Sequence, residues 1–148
     1  MVLFLFGNES DYLFSIRIEF NMTNEELNEK LKELEIEDFI WFIYIGIIIL
    51  SWYSNNLERK YYIYNDLKSK EEYRSIIILI FSILLVVYLY FLYDSYKSVK
   101  ALKDTDSEKK KELVQLSFVG SLLIAISGFI FLYIAIEDED LNVELAFN

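Results

Sequence analysis

The chain has 148 residues, and its 14 Lys and Arg against 24 Asp and Glu leave a net charge of −10. That balance argues against an anionic nucleic acid as partner. The absence of His and Cys removes thiolate nucleophiles, disulfides, Cys/His zinc sites and imidazole bases together.

The charge is distributed unevenly. Three stretches carry none at all: Phe39 to Leu57, Ser75 to Tyr93 and Leu113 to Ile136. In a chain with 26% charged residues, such clearance points to lipid rather than water around these segments. At ~1.5 Å per helical residue even the shortest reaches about 28 Å, close to the thickness of a bilayer's hydrocarbon core. The fold class expected is therefore an all-α membrane protein, a three-transmembrane-helix bundle with short extramembrane ends. No room remains for a second large soluble domain.

In chain order, residues 1–38 form an N-terminal extramembrane segment. Val2 to Phe6 is too short for a signal-peptide core and lacks a basic flank, so no cleaved signal is expected. From Phe14 to Phe20 apolar and polar residues alternate, which predicts a β-strand, with Val2 to Phe6 available to pair with it as a hairpin. Thr23 followed by Glu26 predicts a capping box, and Leu27, Leu31 and Leu34 recur at the spacing of a short amphipathic helix that packs on the strand.

The first span, residues 39–57, has Trp41, Phe42 and Tyr44 near one end and Trp52 and Tyr53 near the other, where amphipathic rings favour the headgroup boundary. A polar connector, 58–74, has no Gly or Pro to stop the helices from running on past the bilayer, and its Tyr61, Tyr62 and Tyr64 are expected at the interface. The second span, 75–93, leads into Tyr88, Tyr90, Phe91, Tyr93 and Tyr96, expected to form an interfacial belt in preference to a ligand pocket. In the connector 94–112, Thr105 with Glu108 predicts a second capping box that opens the third helix.

The third span, 113–136, holds the candidate site. Ser117, Gly120, Ser121, Ala125, Gly128 and Ala135 put small side chains on one flank of the helix. Lipid offers no hydrophobic drive for helix association, so close backbone approach along small residues is what holds such helices together. This flank is read as a packing seam, either for the first two spans or for another copy or protein. The acidic tail, 137–148, ends in Leu141, Val143, Leu145 and Phe147 alternating with other residues, a second strand-like signal. Three crossings would place the two ends on opposite sides of the membrane.

Eight Lys on the N-terminal side of the membrane (residues 30, 32, 97, 100, 103, 109, 110 and 111) outnumber the five Lys and Arg opposite (59, 60, 68, 70 and 74). That bias predicts a cytosolic N-terminus. The Ile/Tyr/Asn/Lys-rich composition resembles that of membrane proteins from AT-rich bacterial genomes, which implies a bacterial cell membrane.

No residue set for catalysis is apparent. There is no glycine-rich phosphate loop, no nucleophile with its base and no spaced carboxylate pair, so neither an enzyme nor a cofactor is expected. Glu137 to Asp140 lack the Asp/Asn/Gly spacing of a calcium loop, and no metal site is assigned. Transporters usually keep ionisable groups within the bilayer, and these windows have none. The function expected is that of a small multi-pass protein acting through protein contacts, as an accessory, regulatory or immunity-type component. Its partners would be the lipid bilayer and a membrane protein or further copies of itself. The alternative is a homo-oligomeric channel or permeation pathway lined by serines and tyrosines. A holin-like pore former is similar in size and span count, but the acidic C-terminus departs from the basic tail usual there.

Overall fold

The structure, a computed structural model, describes residues 23–141 and 143. Three helices account for most of them: α1 (Asn24–Tyr64), α2 (Leu67–Lys100) and α3 (Glu108–Glu137). No strand occurs among the described residues. The N-terminal strand and hairpin expected before Thr23 lie outside them. The C-terminal strand is corrected where it can be read. Leu141 adopts a left-handed conformation (φ 54°), and the Val143 N–H turns back to donate to Asp138 Oδ2 at 2.8 Å, so the chain here bends instead of extending.

The amphipathic helix and the first charge-free window, expected as separate elements, are one helix of 41 residues. At ~1.5 Å per residue it is about 62 Å long, twice a hydrocarbon core. Its start follows the predicted capping box: the Thr23 N–H donates to Glu26 Oε2 at 2.8 Å, and the Glu26 N–H to Thr23 Oγ1 at 3.2 Å. The chain divides into two compact units at Ile43 and Tyr44, and α1 runs through the division. In the first unit Leu27 is half-buried, while Leu31 and Leu34 are exposed.

The second unit, residues 44–148, contains the rest of α1 with α2 and α3. The connector expected over 58–74 is almost wholly helical, and only Asn65 and Asp66 break it. Asn65 takes the left-handed conformation (φ 52°) that ends many helices, and its N–H donates to the Tyr61 carbonyl at 2.8 Å. Asp66 then caps α2, with Oδ1 accepting from the Lys68 N–H at 3.2 Å and Oδ2 from the Ser69 hydroxyl at 2.7 Å. Asparagine tolerates positive φ and aspartate is a strong N-cap, so this pair does the work of the missing glycine.

At the other end of α2, residues 101–107 make the turn. The predicted cap at Thr105 is corrected to Ser107, whose Oγ accepts the Lys110 N–H at 3.3 Å, and Glu108 is paired with Lys111 at 2.9 Å. Asp106 fixes this turn by accepting the Lys103 N–H at 2.8 Å and the Lys110 ammonium at 2.7 Å.

Both turn carboxylates are held below the ordinary range: Asp66 chiefly by the Ser69 hydroxyl, and Asp106 chiefly by the Lys103 N–H and then by Lys110. A group lowered by folding lends stability that is complete above the unfolded pKa of ~3.9 and is lost as pH falls through the folded value. Thermal melts in detergent should therefore weaken below about pH 4. The variant carrying Asp66→Asn and Asp106→Asn should lose part of that acid-side slope. An unchanged slope would contradict the assignment.

Within the second unit α2 is the central element. Ser69, Tyr73, Ile77, Ile80, Leu84 and Val87 form one buried stripe, with Phe81 and Leu85 beside it. Contacts with α3 run antiparallel: Tyr96 lies against Phe118 (ring centroids 6.2 Å apart), Phe81 stacks on Phe131 (5.7 Å), and an Arg74 terminal nitrogen donates to the Ile136 carbonyl at 3.1 Å. Arg74 thus places a cation at the C-terminal end of α3, where orphan carbonyls and the helix dipole favour one. From α1, the Tyr53 hydroxyl donates to Glu72 at 2.7 Å and Tyr61 lies beneath the Lys70 ammonium at 5.6 Å. α2 and α3 are each long and apolar enough to cross a membrane.

Candidate functional site

Small residues on α3 separate into two groups along the predicted seam. Ala125, Gly128 and Ala135 are buried, Gly120 and Ser121 are half-buried, and Ser117 is exposed. Gly128 packs tightly on α2. A Cβ there would lie 2.9 Å from Tyr88 Cδ2 and 3.2 Å from Leu85 Cδ1, so the Tyr88 ring lies directly against bare α3 backbone. At Gly120 a Cβ would meet nothing within 4 Å. The structure therefore brings Gly128 onto α2 and leaves Gly120 open.

Near the open end of the seam the second unit has a cleft of about 360 Å³, lined by Tyr44, Tyr88, Phe91, Ile124, Asp94 and four serines (Ser95, Ser98, Ser117 and Ser121). Asp94 stands at the first position after the charge-free window of α2, and Ser117 and Ser121 lie about one and two turns inside that of α3. Three of the four hydroxyls are already committed as donors to their own helices. Ser95 bonds the Leu92 carbonyl at 3.0 Å, Ser98 that of Asp94 at 3.2 Å, and Ser121 that of Ser117 at 3.0 Å. Such back-bonding leaves the serine oxygens as acceptors.

Hydropathy alone places Tyr88 and Phe91 in an interfacial belt and Asp94 in the connector that follows it. Two of the seam residues, Ser117 and Ser121, turn out to line the same cleft as those aromatics. The signal available was Asp94-Ser95-x-x-Ser98, a polar face at helical spacing at the end of an apolar window.

A second locus, of mixed charge, lies at the opposite end of the antiparallel α2–α3 pair. Asp140 pairs with Lys70 at 3.1 Å, and these two residues, with Arg74 and Glu139, border a groove of about 220 Å³. Comparison with protein-family models, curated proteins and solved structures returns no match.

Proposed function

We propose that the chain is a small multi-pass membrane protein that acts through contacts with other proteins in the bilayer, in an accessory, regulatory or immunity-type role. α2 and α3 supply two crossings, and the charge-free stretch from Phe39 to Leu57 of α1 supplies the third. The bias of Lys and Arg favours a cytosolic N-terminus, and the composition favours a bacterial cell membrane. Large apolar side chains stand exposed along α3, among them Leu116, Leu123, Phe129, Ile130 and Tyr133, a surface that suits lipid and is poorly suited to water.

The observation that carries the protein-contact reading is the open half of the seam. α2 fills the Gly128 end, whereas Gly120 has free space where a partner helix can approach. Purification from native membranes in mild detergent is expected to recover a stoichiometric complex. Gly120→Leu is expected to dissociate it at least tenfold without unfolding the chain, since a Cβ at that position meets no neighbour within 4 Å. Recovery of wild type as a lone monomer across detergents would overturn the reading.

A further inference from the structure

The cleft beside α2 and α3 has a chemistry of its own. Its lining contains one carboxylate, Asp94, and no ammonium or guanidinium group. Ser95, Ser98 and Ser121 give their hydrogens to backbone carbonyls and present lone pairs. The rings of Tyr44, Tyr88 and Phe91 form the remaining wall. The lone pairs of these three serines, one negative charge and aromatic faces complement a cation that carries several N–H donors.

We propose that this cleft binds a primary ammonium group, with Asp94 as its counter-ion and the serine oxygens as acceptors. A primary ammonium offers three donors, whereas a quaternary one offers none, so the site discriminates between them. A calcium ion is a poorer fit. It requires about six to eight oxygens converging at roughly 2.3–2.6 Å. Among the described residues no three acidic groups gather to hold a metal, and a cleft of about 360 Å³ with aromatic walls is far wider than one ion.

Two sources can supply this group. Given the membrane reading above, on which this part rests, Asp94 lies at the depth of lipid headgroups, and phosphatidylethanolamine carries a primary ammonium where phosphatidylcholine carries a quaternary one. A free amine from the aqueous phase is the other source.

Purified full-length protein in mild detergent, offered equal amounts of the two lipids, is expected to retain phosphatidylethanolamine about tenfold over phosphatidylcholine by native mass spectrometry, a difference of about 1.4 kcal/mol. Asp94→Asn, which keeps the shape of the side chain and removes its charge, should abolish the preference while helicity by circular dichroism stays unchanged. Ethanolamine and spermidine supply the second arm. If they raise the melting midpoint of wild type but not of Asp94→Asn, and no lipid preference is seen, the ammonium site stands and is filled from water. This arm needs no bilayer, so it separates failure of the site from failure of the membrane reading. Absence of both effects, or effects equally present in Asp94→Asn, would overturn the proposal.

Discussion

Gly128→Leu is expected to open the α2–α3 hairpin. The first atom added already lies 2.9 Å from the Tyr88 ring and 3.2 Å from Leu85, and the remaining three carbons have to enter the same space. Overpacking of this kind costs about 1–3 kcal/mol, and a branched side chain against an aromatic ring belongs at the upper end. Gly128→Ala should be much milder, because removing a mid-helix glycine returns roughly 0.5–1 kcal/mol of helix propensity and offsets part of the clash. The predicted order of stability is wild type near Gly128→Ala, with Gly128→Leu lower by about 3 kcal/mol, or roughly a hundredfold in the folded fraction. Unfolding in mixed micelles followed by circular dichroism reads this directly. Combining Gly128→Leu with Tyr88→Ala makes room for the leucine and should recover a large share of the loss. If Gly128→Leu alone melts with wild type, the close approach of the helices does not exist in solution.

Leu123→Lys should produce the second large effect, one that depends on what surrounds α3. Leu123 is 59% exposed and lies near the middle of the window from Leu113 to Ile136. In water a surface substitution of this type stays within about 0.5 kcal/mol and would aid solubility. At the centre of a bilayer a lysine costs about 2.5–3.5 kcal/mol on insertion scales, and the favourable leucine contribution is lost as well. The two surroundings therefore differ by about a hundredfold in the inserted fraction. Carbonate extraction of membranes from expressing cells is expected to release Leu123→Lys and retain wild type. Glu112→Lys, placed just before the window, should behave as wild type. Equal retention of all three proteins would mean that lipid does not contact this face of α3.

The helical content was legible because it rests on strong, redundant signals: long charge-free windows, no proline and a complete capping box at Thr23. The limits of the elements were harder to read. Continuation of the helices through 58–74 was legible in the absence of Gly and Pro and in helix formers such as Glu58, Arg59, Lys68 and Glu71, but the pair that stops them, Asn65 and Asp66, was not. Thr105 and Ser107 are both competent caps. The difference lies in Asp106, whose carboxylate bonds back to Lys103 and shapes the turn so that Ser107, the next residue, meets the first free N–H groups.

The seam was visible as a pattern of small residues, but the tight contact at Gly128 was not, because the facing residue, Tyr88, is far away in sequence. The cleft was least accessible of all. It joins Tyr44, Asp94 and Ser121 from three helices, and no periodicity within one helix reports a meeting of that kind. Alternation at Leu141 and Val143 suggested a strand, but a local bond from Val143 to Asp138 takes the N–H that a neighbouring strand would need.

Arg74 has a consequence for how the hairpin is assembled. Its bond to the Ile136 carbonyl joins residues 62 apart, and the Lys70 pair with Asp140 joins residues 70 apart. On the ribosome, α2 is complete long before either acceptor has been synthesised. Loop closure costs least for the pair nearest the turn at 101–107: Tyr96 and Phe118 are 22 residues apart, Phe81 and Phe131 50, and Arg74 and Ile136 62. The Arg74 guanidinium thus ties α2 to the last turn of α3, and this tie can engage only once α3 has been made in full.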